Sequence, residues 1–170
     1  MIIKWIGALC IIIACLGFGL MLAALHRREV KTLKNLISAL DFMECELQFR
    51  MPSLSELCSR TAECCQENLR RVFTDLSSEL ENQIAPDVKH CMESVLSKSK
   101  EIPVETQKCL SILGENLGKF NLQGQLKGLE SVQAECKERL RKLVGNYDMR
   151  LRSYQTLGLC GGVALIILLM

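Results

Sequence analysis

The chain carries no charged side chain between residues 5 and 25, and none between residues 157 and 170. All nineteen acidic residues lie between Glu29 and Asp148, and eighteen of the twenty-one basic ones lie between Glu29 and Arg152. A segregation this complete predicts two membrane-facing ends and one water-facing domain between them. As a helix, the first run is about 31 Å long, which matches a hydrocarbon core of roughly 30 Å. Trp5 is placed as an interfacial anchor. A secretory signal peptide is the alternative. The length of the run, Lys4 as the one basic residue before it, and the His26-Arg27-Arg28 cluster directly after it argue against that reading.

The second run reaches only about 21 Å, or about 25 Å when residues 154–156 are added. It is expected to span with local thinning or beside a packed neighbour. Gly158 and Gly162, four residues apart, permit close helix approach and are the candidate membrane-packing residues, with Cys15 and Gly19 as a counterpart in the first run. Arg27, Arg28, Lys31 and Lys34 follow the first run. Arg139, Arg141, Lys142, Arg150 and Arg152 precede the second. This bias places the middle domain in the cytoplasm. The expected division is a transmembrane helix with its basic flank over 1–28, a soluble helical bundle over 29–153, and a second transmembrane helix over 154–170.

The middle is close to neutral, which argues against a nucleic-acid-binding domain. The ten cysteines include no CxxC pair and none with zinc-finger spacing to a histidine. Cys58, Cys91, Cys109 and Cys136 fall on apolar helix faces, where cysteine acts as a small hydrophobe. That usage fits a reduced, cytosolic domain, with scattered disulfides as the alternative.

Periodicity predicts six helices and no strand. In the first, over about 30–49, Leu33, Leu36, Ile37, Leu40, Met43 and Leu47 share a face. Phe42, Cys45 and Phe49 form a second apolar strip on the opposite side, so this helix is either buried on both sides or offers one to a partner. Glu44 falls inside the main stripe, and a carboxylate there either pairs or reaches water from the edge. Pro52 ends the helix, and Ser53 with Glu56 forms a capping box for the second, which carries Leu54, Leu57, Cys58, Thr61, Ala62 and Cys65. Leu69, Val72, Phe73, Leu76 and Leu80 mark a third, whose separation from the second is left open. Pro86-Asp87 opens a fourth, with Val88, Cys91, Met92, Val95 and Leu96 on one face. Pro103 is expected in the first turn of a fifth, with Thr106, Cys109, Leu110, Leu113 and Leu117 on its face. Gly114 and Gly118 weaken its end, and a turn follows. The sixth steps through Leu122, Leu126, Leu129, Gln133, Cys136, Leu140, Leu143 and Tyr147 in a heptad-like seam. It is expected to run nearly unbroken into the second apolar run. The fold class is all-α: a six-helix bundle flanked by two transmembrane helices.

No catalytic, metal or cofactor motif stands out. His90 and Cys91 are adjacent, so on a helix they point about 100° apart and do not face each other. Cys64-Cys65 would form only a strained vicinal disulfide. There is no phosphate-binding glycine loop and no HExxH. The interrupted basic run from Lys137 to Arg152 is either a solvated helix face or a contact for lipid headgroups or an acidic partner.

Several segments taken in order carry a resemblance. After the first apolar run come Leu33, Leu36, Ala39-Leu40 and Met43-Glu44-Cys45-Glu46-Leu47, then Pro52 and Leu54. Later come Leu113-Gly114-Glu115-Asn116-Leu117-Gly118, Asn121 and Gln125. The end has Leu157-Gly158-Leu159, Gly161-Gly162 and an apolar tail. Together, over the whole chain, they resemble stage III sporulation protein AB of endospore-forming Firmicutes. Phe49 stands where that family tends to have tyrosine, and Asn121 where it tends to have aspartate, so no phenol or carboxylate role carries over to those positions. The resemblance implies a component of the channel-like apparatus joining mother cell and forespore. It also implies likeness to the inner-membrane platform protein of type II secretion, the F component. The cytoplasmic domain of that protein is a six-helix bundle connecting a hexameric ATPase to the membrane part of the machine. By that analogy the chain faces the mother-cell cytoplasm at the outer forespore membrane. Its partners would be a cognate secretion-type ATPase and other membrane subunits, and it would not be an enzyme.

The residues expected to carry partner binding are Glu44 and Glu46 near the end of the first helix, and Gly114, Gly118 and Asn121 at the turn before the last. Glu44 is expected to orient the helix or pair with a basic residue, and the two glycines to permit the turn. Two other readings are kept: a membrane-tethered sensor or adaptor that dimerises through the last helix, and a thiol-redox membrane enzyme built on Cys64 or Cys65.

Overall fold

The structure is a computed structural model. It describes the backbone of residues 2–82, 87–99, 101–118 and 121–169, and the side chains of residues 17, 21, 24–82, 87–99, 101–118 and 121–145. Among the described residues there are six helices and no strand: α1 (Ile2–Phe49), α2 (Leu54–Cys64), α3 (Glu67–Glu81), α4 (Val88–Lys98), α5 (Val104–Asn116) and α6 (Leu122–Leu169). The chain divides into two compact units, one of Met1–Arg28 with Arg141–Met170, the other of Glu29–Leu140.

Among the described residues no helix is long and apolar enough to cross a membrane. The two expected transmembrane helices are therefore not supported. The apolar runs that motivated them, 5–25 and 157–170, fall almost wholly outside the residues whose side chains are described. The expected continuity does appear in the backbone. α1 and α6 each run 48 residues, and Gly145 does not interrupt α6.

The unit Glu29–Leu140 is built from the apolar stripes. On α1, Leu33, Leu36, Leu40, Met43 and Leu47 are buried. The other helices also contribute buried side chains: Leu57, Cys58 and Ala62 of α2, Leu69, Val72, Phe73 and Leu76 of α3, Cys91, Met92 and Val95 of α4, Cys109, Leu110 and Leu113 of α5, and Leu129, Val132 and Cys136 of α6. Each large side chain fully buried there contributes about 1.5–3 kcal/mol of transfer free energy. The seam of α6 is thus used inside the chain's own bundle.

The boundaries follow local chemistry. Pro52 cannot continue α1, and it disfavours helical backbone at the residue before it. Met51 turns the chain there with a left-handed φ of 47°. The Ser53 hydroxyl accepts a hydrogen bond from the Glu56 amide at 3.3 Å and caps α2. The Glu56 side chain completes no box. It turns to Arg60, one helical turn on, at 2.9 Å. α2 and α3 are separate helices joined through Cys65 and Gln66, with Glu67 at φ 48°. Pro103 stands at the cap before α5 rather than inside its first turn. On α3 the buried position after Leu76 is Glu79, not Leu80. Its carboxylate, 6% exposed, is met by Lys98 Nζ at 2.8 Å and Ser94 Oγ at 2.9 Å from α4.

Candidate interaction surface

Two segments that lie far apart in sequence meet at one end of this bundle. A Cβ built on Gly118 would stand 2.8 Å from Val88 Cγ2 and 3.5 Å from Leu54 Cδ2. The turn between α5 and α6 therefore rests against the starts of α4 and α2, and α2 starts five residues after α1 ends. The Gln133 side-chain amide of α6 donates to the Asp41 carboxylate of α1. Twenty residues of α1 separate Glu29 from Phe49, so this end lies about 30 Å along the helix from Glu29.

The expected site residues take different roles there. Glu44 is half-buried at the stripe's edge and accepts from Gln48 Nε2 on its own helix at 3.3 Å. The inter-helix ion pair belongs to Glu46, whose carboxylate lies 3.5 Å from Arg60 NH1 of α2. Asn121 caps α6: its Oδ1 accepts from the Gly124 amide at 3.0 Å. Gly118 makes the turn, with a left-handed φ of +79°. Gly114 is not in the turn. It is buried within α5, where an added Cβ would stand 2.7 Å from Met92 Cβ. It lets α4 and α5 approach closely, and it is not available to a partner. Gly158 and Gly162 lie outside the residues whose side chains are described.

The second apolar strip of α1 resolves as a surface. Phe49 is 79% exposed, Met51 is 65% exposed, Cys45 is exposed and Phe42 is half-buried. Arg50 and Asn121 are also exposed. The alternation of two apolar faces on α1 was the signal for this strip, but periodicity does not say which face a neighbour covers.

Ion pairs tie the helices around this end and along the bundle. Lys89 of α4 lies 2.9 Å from Glu115 of α5, and that hydrogen bond and charge raise its ammonium pKa. Glu105 of α5 is held by Lys108 at 2.7 Å and by Arg139 of α6, which also bridges to Glu135 at 2.7 Å. The hydrogen bonds from Lys108 and then Arg139 lower the Glu105 pKa below its ordinary 4.5. A depressed carboxylate contributes stability that is present above 4.5 and is lost as pH falls through its lower folded value. Glu105→Gln is therefore expected to lower the urea midpoint at pH 7, with the difference from wild type vanishing at acid pH below the ordinary carboxylate range. An unchanged difference at pH 3 would show that the loss comes from packing, not charge.

Among the described residues no group of three or more His, Cys, Asp or Glu is placed to hold a metal ion. Cys64 and Cys65 differ in environment: Cys64 is exposed, whereas Cys65 is buried and its thiol is pushed up to about 12 by desolvation. Such a thiol is protonated at neutral pH.

The family model of stage III sporulation protein AB matches residues 4–170. The chain belongs to this family. A solved structure of a stage III sporulation protein AB superposes with a TM-score of 0.62 at 18% identity, covering 71% of this chain and 97% of that one. At that identity the likeness speaks for the helical fold. No curated protein sequence matches the chain. Membership of the stage III sporulation protein AB family gives the chain a role in sporulation.

Proposed function

We propose that this stage III sporulation protein AB family member is a non-enzymatic membrane platform of a secretion-like channel complex between mother cell and forespore, required for endospore formation. Its bundle would face the mother-cell cytoplasm, anchored by the two apolar runs in the outer forespore membrane. The end that carries Phe49, Met51, Glu46 and Asn121 would bind the cognate secretion-type ATPase. Gly158 and Gly162 would pack against other membrane subunits. The observation that carries this reading is the exposed apolar strip at the end of α1, brought beside the α5–α6 turn by the contact of Gly118 with Leu54. Apolar exposure bordered by polar groups is the usual anatomy of a protein interface. The adaptor reading draws less support, because Leu129 and Cys136 of the proposed dimer seam are buried within the chain itself.

The test is a pull-down of the purified full chain, in detergent, with the ATPase at moderate salt. Capture is expected, weakened by Glu44→Lys through disturbance of the adjoining strip. A well-folded chain that captures no ATPase would remove that enzyme from the proposal and shift the platform's contacts to the apolar runs.

A further inference from the structure

Where α1 ends, three consecutive residues stand exposed: Phe49 at 79%, Arg50, and Met51 at 65%. The corner that carries them is fixed. The Arg50 amide still donates to the Glu46 carbonyl at 2.9 Å, and Met51 holds its left-handed φ of 47°. The Pro52 ring then fixes the next φ. Taking this end as the ATPase-docking surface, we infer that Arg50 determines its specificity, and that the surface it fits is an apolar hollow carrying a carboxylate.

The chain itself does not neutralise the charge at this corner. The carboxylates nearest to Arg50 in sequence have other partners. Glu44 accepts from Gln48 Nε2 at 3.3 Å, while Glu46 and Glu56 lie 3.5 Å and 2.9 Å from the Arg60 guanidinium. Lys89 of α4 is likewise held, by Glu115 at 2.9 Å. Among the described residues no carboxylate lies within ion-pair distance of Arg50. Phe49 and Met51 flank an exposed cation whose counter-charge has to come from outside the chain.

An interface that closes over both Phe49 and Met51 also takes Arg50, between them in the chain, out of water. A guanidinium buried without a counter-charge is strongly unfavourable, so a wholly apolar partner surface would bind poorly. A carboxylate removes that cost. It meets the planar guanidinium fork with two parallel N–H···O bonds, and a guanidinium is weakly enough hydrated to sit beside apolar groups. The flanking Phe49 and Met51 then exclude water from the pair. A fixed corner also loses little freedom on docking. Arg50 has one other use, because its charge lies at the carbonyl end of α1. Arg50→Lys keeps that charge and loses the fork.

The experiment titrates the purified full chain, in detergent, against the ATPase, with wild type beside Arg50→Gln, Arg50→Lys and Arg50→Glu, and urea unfolding of each. Arg50→Gln is expected to weaken binding about 30-fold and Arg50→Glu to weaken it further. Arg50→Lys should fall between wild type and Arg50→Gln while keeping the wild-type urea midpoint, so its loss reports the missing fork and not the end of α1. ATPase variants with one surface Asp or Glu changed to Lys are then titrated against Arg50→Glu, and one of them should restore binding. Binding by Arg50→Glu as tight as wild type, with Phe49→Ala still impaired, would overturn the carboxylate match and leave the docking strip standing. Reversal of every surface carboxylate of the ATPase in turn without rescue would overturn it too. A wild-type chain that does not bind the ATPase at all would remove the docking reading itself, and the role of Arg50 with it.

Discussion

Gly118→Val is expected to destabilise the bundle by about 2–5 kcal/mol, an effect as large as the loss of a core side chain. Two independent costs combine. A side chain forced into left-handed backbone costs roughly 1–2 kcal/mol, and more when it is β-branched. Gly118 holds φ +79°. Its new Cβ would also stand 2.8 Å from Val88 Cγ2, and overpacking of that kind costs roughly 1–3 kcal/mol. A domain is typically stable by only about 5–15 kcal/mol, so the change is a large share of the total. The two costs can be separated. Gly118→Ala combined with Val88→Ala removes the clashing Cγ2 and leaves the backbone cost, so the pair should recover part of what Gly118→Ala loses alone. Gly114 behaves differently. Its added Cβ would meet Met92 Cβ at 2.7 Å, and Met92→Ala keeps that atom. Gly114→Ala is therefore not rescued by Met92→Ala. Urea unfolding of the full chain measures all five variants. A Gly118→Val chain within 1 kcal/mol of wild type would show that the turn relaxes and that the glycine is not required.

The same contrast shows what periodicity could and could not convey. The stripe from Leu33 to Leu47 and the cap at Ser53 are local consequences of residue order, and both appear as expected. Gly114 and Gly118 looked alike in sequence because each is a glycine near a helix end. One serves a close approach by α4, the other a backbone turn, and the difference rests on Met92 and Val88, residues of a different helix. Spacing set Glu44 inside the main stripe and made it the carboxylate expected to pair. Arg60, fourteen positions beyond Glu46, assigns the inter-helix pair to Glu46 instead. Glu79 left no trace at all. A carboxylate on an apolar stripe becomes tolerable only when Lys98 and Ser94 arrive from the next helix. Val132 was missed for a related reason: the heptad reading of α6 stepped from Leu129 to Gln133, whereas the core takes Leu129, Val132 and Cys136, and Gln133 turns to Asp41. In each case the element was legible from its own residues, and the partner that selects a role was not.

Phe49→Ala is expected to weaken ATPase binding on the order of 30-fold or more while leaving the unfolding free energy within about 0.5 kcal/mol of wild type. The argument begins from exposure. A side chain that is 79% exposed makes few contacts in the free domain, so its removal leaves no cavity and costs little stability. Its worth is realised only on burial against a partner. An aromatic anchor at the centre of an interface typically contributes 2 kcal/mol or more, which is roughly a 30-fold change in affinity. Met51 beside it is also exposed, and its left-handed backbone holds it at the corner before Pro52. Met51→Ala should reinforce the loss, and contacting neighbours commonly couple by 0.5 kcal/mol or more. The ion pair between Glu46 and Arg60 gives a control of the opposite kind. A partly exposed pair is worth at most about 1 kcal/mol to stability. Glu46→Gln should therefore cost little stability, and any loss of binding it causes is a loss at the docking end itself. Titration of the purified full chain against the ATPase, run beside urea unfolding, separates the two effects. Binding unaffected by Phe49→Ala and Met51→Ala together would mean that the exposed strip is not the docking surface, and the α1 end would lose its part in the platform.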